Sequence, residues 1–265
     1  DWILQETGRM PIEGRRQQVL DITKTDAFAH VLNQVDRVLK SCNIVYIKWD
    51  HNRQLSDPIS SGHPAVHNQT IAIYKLFEEL KKLNPGLEIE SCASGGGRID
   101  LGMVEHVDRF WTSDQNDALE RQSIQLWTAM AIPPEMLGTH VGPTVSMQTG
   151  RHNEISFRVI NALFGHAGIE WDITKATEDE IGTLKEFAKF YKENRNVLHT
   201  GKLVRSDEVQ GRAQLYGTVA QDKSQAIFSY MQLQTVDNFQ PTVAKFPGLD
   251  ENSDYRLEAV SYTHL

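Results

Sequence analysis

The sequence predicts an α/β protein: the second half of a (β/α)8 TIM barrel, about strands 4 to 8, followed by the start of an antiparallel β-sandwich domain. Three observations carry this reading. Between residues 43 and 194, five short apolar stretches each run into a polar loop and then an amphipathic helix, the rhythm of parallel βα units. Most of these stretches end in Asp, Gly, His or Trp, and catalytic side chains collect at the C-terminal strand ends of a barrel. After about residue 200 the pattern changes to strand-like runs separated by turn residues. A whole barrel takes about 250 residues, so five units leave its front part outside this chain. The expected domains are 1–200, the C-terminal portion of a catalytic barrel, and 201–265, the start of a β-sandwich.

Residues 1–18 carry Gly8, Pro11 and Gly14 among Arg9, Arg15 and Arg16 and read as an irregular loop. Taken alone, Arg15 is a solvated loop arginine or a clamp for a ligand hydroxyl or carboxylate. Residues 25–40 predict a helix capped by Thr25 or Asp26, with Phe28, Val31, Leu32, Val35, Val38 and Leu39 on one face. A buried apolar strand, Ile44 to Ile47, leads into Lys48, Trp49 and Asp50. A polar loop follows over 51–66, then a helix over 68–83 with Ile73, Leu76, Phe77, Leu80 and Leu83 inward, stopped by Asn84-Pro85-Gly86. Leu87 to Glu90 is the next strand, running into Ser91-Cys92-Ala93-Ser94-Gly95-Gly96-Gly97-Arg98, where three glycines let backbone approach a ligand closely. The phosphate-loop pattern is absent.

Asp100 to Val107 reads as a short helical connection and Arg109 to Trp111 as a strand. Asp117 stands three residues before Glu120, the spacing of a capping box. Asp114, before that cap, has no such local duty. A helix over Ala118 to about Met130, a strand from Met136 into Thr139-His140-Val141-Gly142, a helix over 154–165, a strand end at Gly168 to Asp172 and a long helix from Glu178 to Asn194 complete the units. Gln214 to Val219, Ser224 to Met231 and Tyr255 to Ser261 favour strands.

The 265 residues are 40% apolar and 23% charged with a net charge of −8, which suits a soluble fold and a neutral small substrate. No Lys/Arg run points to nucleic acid, and no apolar run is long enough to span a membrane. Two cysteines, Cys42 and Cys92, form no disulfide framework or zinc pattern, which suggests a reducing, cytoplasmic compartment. His51, His140, His152 and His166 show no metal-binding spacing, so neither a metal nor another cofactor is expected.

The chemistry centres on Asp50 and Asp114, each at a strand end, with one strand between them. Two carboxylates flanking a bond are what glycoside hydrolysis needs. Lys48 beside Asp50 favours its ionised form, whereas Trp111 and neutral neighbours favour a proton on Asp114. This gives Asp50 as nucleophile and Asp114 as acid/base. Trp49 and Trp171 offer flat faces suited to a sugar, though a tryptophan in such a place is also ordinary core.

Three segments, Tyr46 to Arg53, Glu90 to Met103 and Trp111 to Gln125, together resemble glycoside hydrolase family 36, the α-galactosidases of the melibiose and raffinose type. The resemblance covers about residues 1–200. It implies a retaining α-galactosidase with a catalytic barrel between two β domains, acting on α-galactoside oligosaccharides and assembling as a homo-tetramer. It also implies Asp50 as nucleophile, Asp114 as acid/base, and Arg15, Lys48, Asn52, Cys92 and Gly95 as contacts to sugar hydroxyls. His51 stands where the family commonly has Met and is expected to tune subsite preference. The family's acidic pair for the 4- and 6-hydroxyls lies on an earlier strand, so this piece alone is expected to be inactive. An α-N-acetylgalactosaminidase, a transglycosylase of the same fold and a non-catalytic sugar-binding barrel are the other readings.

Overall fold

A computed structural model describes residues 2–10, 12–206, 213–235 and 243–260. Pro11 and Ser261, used above as turn and strand residues, lie outside the described residues. The chain forms two compact units, Asp1–Asp114 and Gln115–Leu265.

In the first unit, the N-terminal segment is pinned by isolated bridges between Ile3 and Leu20 and between Gly14 and Gln17. Helix α1 spans Thr25–Cys42 and starts from Lys24 without a side-chain cap. Asp26, expected as a possible cap, instead accepts from the Trp2 indole at 2.8 Å and the Ala27 N–H at 3.0 Å. Asn43 ends the helix in the left-handed conformation, with its N–H on the Leu39 carbonyl. Strand β1 is Tyr46–Trp49, two residues later than the apolar run indicates. It is not a buried strand: Tyr46 and Lys48 are exposed, and only Ile47 and Trp49 are partly covered. The loop after it contains a small hairpin, β2 (Ile59–Ser60) and β3 (His63–Pro64).

Helix α2, Val66–Leu83, buries Leu76, Phe77 and Leu80 completely and Ile73 in part, as the spacing predicts, but Leu83, expected inward, is exposed at the helix end. Each fully buried side chain contributes about 1.5–3 kcal/mol. Asn84 ends it, and Gly86 turns with φ +88°. Strands β4 (Glu88–Ser91) and β5 (Arg109–Trp111) complete the unit, with the short α3 (Leu101–Val104) between them. β1 pairs with β4 and β4 with β5, all parallel, with Lys48 opposite Glu90 and Glu90 opposite Arg109.

The second unit begins with α4 (Ala118–Thr128), capped by Asp117. The expected capping box is half made. Asp117 accepts from the Leu119 N–H at 3.0 Å, but Glu120 turns outward to Arg151. β6 (Leu137–Val141), α5 (Ile155–Asn161), β7 (His166–Ile169) and α6 (Glu178–Thr200) follow, and β6 and β7 are parallel. α5 is shorter than the apolar pattern indicates, because Leu163 and Phe164 enter the core from a turn. α6 runs six residues past Asn194, since Val197 and Leu198 continue its buried face. A capping box between Thr177 and Glu180 starts it.

From β8 (Lys202–Arg205) the chain forms an antiparallel sheet with β9 (Ala213–Val219) and β10 (Ala226–Gln232). Tyr191 and Leu198 of α6 pack on Tyr216 and Met231 of this sheet. Tyr255 to Val260, expected as a strand, is exposed and unpaired with any strand among the described residues. Five successive parallel-type βα strands, three in the first unit and two in the second, followed by an antiparallel sheet, make part of a (β/α)8 barrel and part of a β domain. Among the described residues no helix is long and apolar enough to cross a membrane.

Candidate active site

Side chains alternate across a strand, so Tyr46, Lys48 and Asp50 share one side of β1 and its extension. Glu88, Glu90 and Cys92 share that side of β4, and Arg109 and Trp111 that of β5. The contacts follow this parity. The Tyr46 hydroxyl donates to Glu90 at 2.9 Å, and the Lys48 ammonium lies 3.6 Å from Glu90 and 4.3 Å from the centre of the Trp111 ring. The other side of the sheet meets helices: Trp49 packs edge-on against Phe77 of α2, with ring centres 5.4 Å apart.

Asp50 stands just past the end of β1, bracketed by the last backbone bonds to the chain after β4 (Cys92 N–H to the Trp49 carbonyl at 2.9 Å, His51 N–H to the Cys92 carbonyl at 3.2 Å), and its carboxylate meets donors. Asn52 donates to one oxygen, and the Ser94 N–H donates to the other at 3.3 Å. Burial would raise its pKa, but hydrogen bonds from the Cys92 thiol, Asn52 and the Ser94 and His51 N–H groups outweigh that and hold it below the ordinary aspartate value. Cys92 is 1% exposed. Burial first, with Asp50 beside it, pushes its thiol up to about 11, so it stays a protonated donor at neutral pH. His51 titrates below its ordinary value because it is buried and faces Arg98, with Asp50 opposing the shift.

Asp114 follows β5 and accepts from the Trp111 indole N–H at 3.1 Å. The turn after β4 lies between the two aspartates. Its Ser94 N–H reaches Asp50, while Gly95, at φ +85°, is pressed against the chain before Asp114. A Cβ on Gly95 would stand 2.7 Å from Ser113 Cα and 2.9 Å from the Asp114 nitrogen. Only glycine fits both that conformation and that approach. Asp50, Asn52, Cys92, Gly95 and Asp114 therefore form one contiguous group.

Lys48 belongs to that group by parity, but its partner differs from expectation. It pairs with Glu90, and the four strongest influences holding Asp50 low are hydrogen bonds. Arg15 sits exposed, with φ +54°, at the tip of the Gly14–Gln17 turn. Its loop is tied to the chain after Asn52, since Arg53 donates to the Ile12 carbonyl and Arg9 pairs with Asp57 at 3.2 Å. Trp49 and Trp171, considered as sugar platforms, are partly buried and pack against core residues. Trp49 meets Phe77, and Trp171 packs against Arg158 and the Val141–Val159–Leu184 cluster. Reasoning from sequence misses Glu90 and Trp111 as neighbours of Lys48, and Ser94 as a donor to Asp50. A carboxylate inside an apolar strand is the signal that could have singled out Glu90. Among the described residues no cluster of three or more His, Cys, Asp or Glu could hold a metal ion.

The Melibiase family model matches residues 1–201. An α-galactosidase from Escherichia coli is 39% identical over 265 residues, covering 100% of this chain and 37% of that protein. The crystal structure of the α-galactosidase AgaA from Geobacillus stearothermophilus superposes with a TM-score of 0.90 at 33% identity, covering 95% of this chain and 36% of that one. Variants of AgaA have been solved with stachyose and with raffinose. The α-galactosidase from Lactobacillus brevis superposes with a TM-score of 0.89 at 35% identity, covering 94% of this chain and 35% of that one. The chain thus spans little more than a third of the length of the relatives it matches.

Proposed function

This chain belongs to the melibiase family, and on that premise we propose that the complete protein is a retaining α-galactosidase. It would remove terminal α-D-galactose from oligosaccharides of the melibiose and raffinose type. The observation that supports this most is the seating of two strand-end carboxylates on either side of one glycine turn, Asp50 held by Ser94 and Asp114 abutting Gly95. Asp50, kept ionised by hydrogen bonding in which Asn52 and the Ser94 N–H donate directly, attacks the anomeric carbon and forms a galactosyl-enzyme ester. Asp114 gives its proton to the departing oxygen, then takes one from the water that cleaves the ester. Lys48, Asn52, Cys92 and Arg15 contact the sugar hydroxyls. The small turn that carries Cys92 and Gly95 suits a free hydroxyl at the 2-position.

The deciding experiment is Asp50→Ala in the complete protein. Turnover of an aryl α-galactoside should fall by about 10³-fold or more. Azide should restore it and yield the β-galactosyl azide, and the unmodified enzyme should release α-galactose first. Undiminished turnover by the variant, or β-galactose as the first product of the unmodified enzyme, would overturn the assignment.

A further inference from the structure

Glu90 is the feature of the first unit that the mechanism above leaves unused. It is 2% exposed, between Ile89 and Ser91, both also buried. A carboxylate there is costly unless it is compensated, and a hydrophobic replacement of similar size is often no less stable. Its two oxygens have different surroundings. Oε2 accepts the Tyr46 hydroxyl at 2.9 Å, whereas Oε1 makes no hydrogen bond and has the Lys48 ammonium 3.6 Å away. That ammonium also lies over the Trp111 ring, whose indole N–H is bound to Asp114.

We propose that Glu90 is a positioning residue: with Tyr46 fixing its carboxylate, it holds the Lys48 ammonium over Trp111, ready to meet a sugar hydroxyl. The inference rests on the α-galactosidase reading. A lysine carries a long, mobile stem, and ordering it is a cost that binding must otherwise meet. A buried anion on one side and an aromatic face on another fix the ammonium before substrate arrives, and such preorganisation strengthens binding without any new contact. Tyr46 keeps its donor role throughout the working pH range, because partial desolvation of its hydroxyl end and the adjacent Glu90 push that hydroxyl up to about 12. Lys48 is a ground-state contact in this scheme, so loosening it should act on KM more than on kcat.

The test is a double-mutant cycle in the complete protein, with 4-nitrophenyl α-galactoside as substrate: Glu90→Gln, Lys48→Met and the pair. Glu90→Gln should raise KM about tenfold, the cost of a loosened charged contact, and change kcat by under about threefold. Glu90→Asp, which keeps the charge, should recover part of the loss. In the Lys48→Met background, Glu90→Gln should add less than about twofold. Losses that multiply in the double variant, an unchanged KM in Glu90→Gln, or failure of both Glu90 variants to fold would overturn the proposal and leave Glu90 a core residue. If Lys48→Met alone changes nothing while Asp50→Ala abolishes turnover, this inference falls and the galactosidase reading stands. If Asp50→Ala is also silent, the galactosidase reading falls.

Discussion

At the scale of single residues, Gly95 shapes the candidate site without carrying a reactive group. Its positive φ and its approach to Ser113 and Asp114 both exclude a Cβ. Gly95→Ala must therefore push the turn away from β5 or shift the Asp114 backbone. A displacement of about 1 Å in a reacting group costs roughly 10²-fold in rate. Steady-state kinetics of Gly95→Ala in the complete protein should show that loss in kcat/KM, with the thermal midpoint lowered by only a few degrees. An unaltered kcat/KM would mean that the turn does not set the position of Asp114. The two aspartates are legible in the sequence because each follows a short apolar run and precedes turn residues. The partner of Lys48 is not. Lys48 and Glu90 face each other only because β1 and β4 pair in one register, which neither segment's own residues reveal.

At the scale of elements, helices are legible where one apolar face repeats, as in α2 and α6, and their ends are less so. α6 continues past Asn194 because Val197 and Leu198 meet the core, which local spacing does not reveal. The start of α4 shows the same limit. The sequence offers Asp117 as a cap, but its larger role is tertiary. The carboxylate is 0% exposed and accepts from Leu119 N–H, Asn153 at 3.2 Å, Thr149 at 2.6 Å and Arg151, so it pins the 144–153 loop to the helix. Asp117→Ala removes the cap and leaves these donors unmatched, which should cost about 3–5 kcal/mol. Arg151→Ala, at a side chain 39% exposed, should cost about 1 kcal/mol or less. Urea unfolding of the two variants in the complete protein checks the ranking. Equal midpoints would show that the buried carboxylate carries no special share of the stability.

At the scale of the molecule, the acid limit of stability follows from carboxylates that folding makes stronger acids. Glu180 is the clearest in the second unit. Burial opposes its ionisation, but the Thr177 N–H, the Thr144 hydroxyl at 2.9 Å and Arg158 together lower its pKa below the ordinary 4.5. In the first unit, Asp50 is lowered below 3.8 by the bonds already described. A group whose folded pKa is depressed stabilises the fold fully above its unfolded pKa, and that share is lost as pH falls through the folded value. Both contributions are thus complete above about pH 4.5 and disappear below it, Glu180 first from the higher unfolded pKa. The urea midpoint of the complete protein should fall gently below about pH 6.5, where His51 takes up its proton more readily in the unfolded chain, and drop more steeply below about pH 4.5. Glu180→Gln should start lower at neutral pH, because Arg158, itself buried, loses its anion. It should also show a shallower drop in acid, because a glutamine has no proton to take up. A drop of equal depth in the variant would place the acid-sensitive groups elsewhere in the fold.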